Sequence, residues 1–140
     1  MGDLTAQVER FYKSFEAGDF DVTPEIFAQD VTALVPGAGL MKGIDALNAY
    51  NKVFKSAFPD ARMEIAYITE SGDTVIAEGF FTGTHTAPLA SPKGEVPPTG
   101  KSLKVAFSDF FTFKNGKVAD HRTYFDQMEL LGQLGLLPQE

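Results

Sequence analysis

Four charged residues, Asp109, Asp120, Arg122 and Asp126, stand in two apolar segments near the end of this chain. The segments, 105–113 and 118–126, flank Asn115-Gly116. Asn-Gly between alternating apolar runs predicts a two-residue hairpin, because both central residues must take φ > 0. Such a turn fixes register. Phe113 is expected opposite Val118, Phe111 opposite Asp120, Asp109 opposite Arg122, Phe107 opposite Tyr124 and Val105 opposite Asp126. Period-two alternation then puts all ten on one face. Carboxylates on an apolar face are rarely buried unless paired or used. The chemistry such a face offers is proton transfer, as base or as acid according to environment.

Each candidate has a structural reading beside the functional one. Asp126, three residues before Glu129, has the spacing of a capping box. Backbone N–H donors would favour its charged form, and apolar neighbours would oppose it. Both outcomes stay open. Asp109 and Arg122 form a cross-strand pair worth about 0.2–1 kcal/mol when exposed. Alternatively, Arg122 orients a substrate oxygen and Asp109 assists proton transfer. His85 ends a strand, where a hydrogen-bonded structural role competes with a place in a pocket. His121 has the opposite parity and is expected to face away from the Asp126 row. Phe107 is either core or pocket wall. Two histidines, no cysteine and no His-Glu-x-x-His spacing give no metal site. Dinucleotide, Walker and Gly-x-Ser-x-Gly motifs are absent, and no cofactor is expected, because proton abstraction next to a carbonyl needs only a base and an oxyanion stabiliser.

The elements that position these residues are readable from periodicity. Leu4, Val8, Phe11, Tyr12 and Phe15 predict a helix over 4–17. Thr23-Pro24 opens a short helix over 23–28. A strand covers 31–35. A helix over 43–58 carries Ile44, Leu47, Tyr50, Asn51, Phe54 and Phe58 on one face and ends at Pro59. Strands follow at Met63 to Tyr67 and Thr74 to His85. The prolines of 86–100, Pro88, Pro92, Pro97 and Pro98, predict a long irregular loop, a candidate lid. The hairpin and a helix over 127–135 finish a single domain, 1–140. Helices first and hairpin-linked strands after give an α+β layout with an antiparallel sheet.

Composition narrows the function classes. The chain has 140 residues, 44% of them apolar, which is enough for a globular core. Thirteen phenylalanines against no tryptophan make that core largely phenylalanine. A net charge of −7 argues against nucleic acid and against an anionic membrane surface. With no basic-then-apolar N-terminal segment and no long apolar run, a cytoplasmic protein is the expectation.

Four pieces in order carry a family resemblance: Thr82-Gly83-Thr84-His85-Thr86, Pro97-Pro98-Thr99-Gly100-Lys101, Asn115-Gly116-Lys117-Val118, and Tyr124-Phe125-Asp126 with Gln133-Leu134-Gly135 after it. In these the chain resembles the SnoaL-like polyketide cyclases of the nuclear transport factor 2-like superfamily. The resemblance implies a cone-shaped curved sheet packed against N-terminal helices around an interior pocket, and a homodimer. It implies cofactor-free and metal-free acid/base chemistry, an aldol cyclisation or isomerisation of an apolar polyketide-like substrate. Asp126 falls at the family's acid/base aspartate; from their own places on the strands, Tyr124, Arg122, Asp109, Phe107 and His85 are the expected substrate contacts. Arg122 to Asp126 is also similar to a strand of the limonene epoxide hydrolases. Those enzymes need an Arg and an Asp near Gly79 and Phe81, and their absence counts against epoxide hydrolysis. Two rivals remain: a binding protein for a hydrophobic small molecule, and a protein-interaction module.

Overall fold

The computed structural model describes residues 3–91 and 94–137. Its elements in chain order are α1 (Asp3–Ala17), α2 (Thr23–Ile26), β1 (Phe27–Val35), β2 (Gly39–Lys42), α3 (Ile44–Ala57), β3 (Arg62–Ser71), β4 (Thr74–Thr84), β5 (Leu89–Ser91), β6 (Gly94–Val96), β7 (Ser102–Lys114), β8 (Lys117–Phe125) and α4 (Gln127–Gln133). Six strands form one sheet in the order β2-β1-β8-β7-β4-β3, and β5 and β6 pair separately. The α+β class and the helix-covered curved sheet follow the sequence expectation.

Three features differ from it. The segment 86–100 is not wholly irregular, because Leu89 to Ser91 pairs with Gly94 to Val96. Pro92 lies outside the described residues. The sheet is not wholly antiparallel, since β1 runs parallel to β8. Pairing with β8 also starts β1 at Phe27 and not at Val31, so α2 ends at Ile26, two residues short of the expected helix over 23–28.

The third difference is register. At the hairpin tip Lys114 faces Lys117 and Phe113 faces Val118, as the Asn-Gly turn requires, with Asn115 at φ 54° and Gly116 at φ 82°. The next pair is Thr112 with Asp120. Ala119 is therefore a β-bulge, and one extra residue moves every later side chain of β8 to the other face. Asp109 faces Thr123 instead of Arg122, Phe111 faces His121, and Phe107 faces Phe125.

The core lies between the inner face of the sheet and the helices. Val8, Phe11, Tyr12 and Phe15 bury one stripe of α1 against it. Both ends of α1 are tied to the edge strand β3. Thr5 N donates to Glu70 Oε1 (2.9 Å), and Met63 N donates to Glu16 Oε2 (2.7 Å). The apolar stripe of α3 closes the other side, and Thr23 Oγ1, donating to Asn48 Oδ1 at 2.8 Å, joins α2 to it.

Candidate active site

Asp109 is the charged residue that the inner face buries, at 3% exposure. Alternation along β7 sets it there, between Phe107 and Phe111 on the same face. Tyr12 OH donates to its Oδ2 at 2.6 Å. Its Oδ1 accepts no hydrogen bond and lies 3.6 Å from His121 Nε2. Both ring nitrogens of His121 are buried without a hydrogen-bond partner. The ring stacks on Phe111, with centroids 4.3 Å apart and planes 10° apart. His121 thus faces inward, against the sequence expectation, because of the bulge.

A cavity opens beside this pair, with about 100 Å³ open to the centre of a water molecule. At ~10–15 Å³ per water centre that is room for roughly seven to ten waters, or a compact molecule of one or two rings. Phe11, Phe15, Phe54, Met63, Phe81, Val105, Phe107 and Phe125 supply apolar wall. Tyr12, Tyr50, Asn51, Asp109, His121 and Thr123 supply the polar groups. Asn51 Nδ2 is a buried donor with no partner. Burial, and then the Asp109 charge, raise both the Tyr12 and the Tyr50 phenol well above the usual value. Both remain neutral donors at ordinary pH. Among the described residues, no lysine or arginine lines the cavity.

Of the residues expected at the site, the cavity is lined by Asp109 and Phe107. Arg122 and Tyr124 are carried to the opposite face by the bulge. Arg122 lies 3.5 Å from Asp120 and 5.4 Å over the Phe110 ring, and Tyr124 is 45% exposed. Asp126 is exposed at the N-cap of α4, where its Oδ1 accepts from Glu129 N at 3.1 Å. The cap half of the capping box is present, and the carboxyl lies outside the cavity lining. His85 is fully buried away from the cavity. Thr99 N donates to its Nδ1 at 3.2 Å, so the ring proton belongs on Nε2. Burial lowers its pKa, with the Ala87 backbone acting the other way.

Sequence reasoning missed Tyr12, Tyr50, Asn51, His121 and Thr123 as wall residues. The first three were visible as polar interruptions of apolar helix stripes. His121 and Thr123 needed the bulge. No group of three or more His, Cys, Asp or Glu that could hold a metal occurs among the described residues. No described helix is long and apolar enough to cross a membrane.

Solved structures share this fold. A protein of Jannaschia sp. CCS1, proposed to be a SnoaL-like polyketide cyclase, superposes with TM-score 0.85 at 24% identity, over 97% of this chain and 94% of that one. TsrD of Streptomyces laurentii gives 0.84 at 22% identity, covering 98% of each chain. AclR of Streptomyces galilaeus, proposed to be a hydroxylase, gives 0.83 at 22% identity, covering 99% of each. At these identities the likeness establishes the fold and leaves the reaction to the site. No curated protein matches the sequence. The family model of the SnoaL-like polyketide cyclases matches residues 6–134, nearly the whole chain, and the chain belongs to that family.

Proposed function

We propose that this chain catalyses cofactor-independent acid/base chemistry on an apolar, oxygenated substrate of polyketide type, with Asp109 as the proton-transfer group. One observation carries the proposal: a buried carboxylate oxygen, Asp109 Oδ1, left without a hydrogen bond at the wall of an apolar cavity. Such an oxygen costs stability, and a catalytic role is one reason for a fold to keep it. A carboxylate oxygen with free lone pairs can accept a proton from a molecule bound in the cavity.

The steps balance with the chain's own groups. Asp109 takes the proton from a carbon next to a ketone, and the C–H electron pair becomes the enolate. Asn51 Nδ2 and the Tyr50 hydroxyl supply neutral donors for the enolate oxygen, the role first expected of Tyr124 or Arg122. The enolate carbon attacks a second carbonyl of the same molecule, a C–C bond forms, and the new alkoxide takes the proton back from Asp109. Isomerisation is the same sequence with the proton returned to another carbon.

The experiment needs no natural substrate. 2-Tetralone is a two-ring ketone within the cavity's size, and its α-hydrogens exchange in D2O when a base removes them. We expect the chain to accelerate that exchange, Asp109→Asn to abolish it, and Asp126→Asn to keep it. Exchange lost in folded Asp126→Asn and kept in Asp109→Asn would return the role to Asp126. The binding-protein alternative is favoured by the Tyr12 bond, which occupies one oxygen of Asp109. It predicts saturable 2-tetralone binding with no exchange.

The proposed assembly is a homodimer through the outer sheet face, where Leu34, Phe80, Tyr124 and Tyr67 are 37, 37, 45 and 59% exposed. Light scattering after size exclusion should give twice the chain mass, and a monomer at micromolar concentration would refute it.

A further inference from the structure

Tyr12 is 4% exposed and belongs to the buried stripe of α1. Its ring stands edge-on to Phe107 (6.2 Å, 63°) and to Phe111 (6.0 Å, 79°). These two residues flank Asp109 on β7, so the phenol is wedged where its hydroxyl meets the carboxylate. Phe107 and Phe111 hold the ring on the cavity wall at that point. The helix that carries it is tied to β3 at both ends, through Thr5 with Glu70 and Met63 with Glu16. The 2.6 Å bond to Oδ2 is the hydrogen bond that the Asp109 side chain accepts among the described residues.

We propose that Tyr12 is a positioning residue that acts through Asp109, saturating Oδ2 so that Oδ1 is the oxygen offered to substrate, and giving the carboxylate form its donated hydrogen bond in an apolar wall. This rests on the reading of Asp109 as the base.

Two opposed effects set the pH at which that base is available. Removal from water favours the neutral carboxylic acid, whereas a donated O–H bond favours the carboxylate. The groups facing Asp109 are few. Tyr12 comes from α1, Tyr50 from α3 and His121 from β8. Its partner on β4 is Ala77, which does not titrate. Tyr12 remains a donor across the working range, since burial and the adjacent charge keep its phenol protonated. Deleting the hydroxyl therefore removes the bond that favours the carboxylate and leaves the desolvation that opposes it.

The sign of the outcome follows. A base works above its pKa and fails below it. Tyr12→Phe removes the donated bond that favours the carboxylate form, so the variant's carboxyl takes a proton more readily. The acid limb of the exchange profile moves up. Exchange of 2-tetralone falls most at low pD and recovers toward wild type as pD rises, while KM stays within about twofold. A tyrosine that only filled space would lower exchange equally at every pD.

The test measures the carboxyl directly. In protein carrying 13C at the aspartate side-chain carboxyl, the Asp109 signal is assigned by its loss in Asp109→Asn, and its titration midpoint is read with and without Tyr12→Phe. The midpoint should rise. Incorporating 3-fluorotyrosine at position 12 keeps the shape and strengthens the donor, so the midpoint should fall, and this variant serves if Tyr12→Phe does not fold. An unchanged midpoint in a folded variant overturns the proposal. The NMR titration requires no turnover. A shifted midpoint without 2-tetralone exchange would sustain the role of Tyr12 on the carboxyl and remove the reading of Asp109 as a base.

Discussion

Asp109 and Asp126 show how much the surroundings of one side chain decide. Both are aspartates on or just after the two long strands. Asp126 ends its strand exposed and accepts a backbone N–H. Asp109 is buried with one oxygen that accepts no hydrogen bond. The first is suited to capping a helix and the second to exchanging a proton. Replacing Asp126 by Ala should cost about 0.5–2 kcal/mol, as lost N-caps do, read as a lower urea midpoint. His85 makes a prediction with a sign. Its folded-state pKa is depressed, so the unfolded chain binds the proton more readily. Stability from neutral His85 is complete above an unfolded pKa of about 6.5 and is lost as pH falls through the folded value. Asp60, also lowered, acts in a more acid window below its ordinary 3.8. The urea midpoint should therefore drop from pH 7 toward pH 5, and His85→Gln should flatten that part of the curve. An unchanged slope would show that another group sets it.

At the scale of elements, two single-residue insertions shape the sheet. The Ala119 bulge turns β8 over, and a second bulge at Ala66 in β3 shifts the pairing from Ile65–Gly79 to Tyr67–Glu78. A side-chain carbon at position 79 would lie 2.0 Å from the Glu64 carbonyl oxygen, so only glycine lets the bulged strand come this close. Gly79→Ala should cost at least about 1–3 kcal/mol, the range for overpacked sites, measured by denaturant unfolding. A loss below ~0.5 kcal/mol would mean that the bulge relaxes freely. The hairpin tip was readable because Asn-Gly has a steric reason to be there. The Ala119 bulge was not, since alanine carries no mark of one. Yet the straight register left its own warning. It placed Asp120, Arg122 and Tyr124 on the apolar face, and slipping by one residue moves all three outward and brings Thr123 and Phe125 in. Charge set against burial was the available sign of an error. The two long helices, α1 and α3, were legible nearly to their ends, because their apolar stripes have the right period. The role of Tyr12 was not, because its partner lies across the fold on a strand whose register had to be known.

The whole molecule is a sheet closed on one side by helices, and its sequence order and spatial order disagree. Strand β8, the last in the chain, lies between β1, the first, and β7. The parallel pair β1–β8 joins residues as far apart as Phe27 and Val118. The bulged strand also brings His121 and Thr123 to the cavity wall. Until β8 arrives, β1 and β7 each present a bare hydrogen-bonding edge, and the phenylalanine core has no floor. During synthesis the ribosome must therefore release almost the entire domain before any of it can be completed, and the nascent chain spends that interval with two sticky edges. A chain stopped after Gly116 should remain unfolded by circular dichroism and hydrogen exchange, and aggregate at micromolar concentration. Cooperative unfolding of that fragment would show that the sheet can form without its centre.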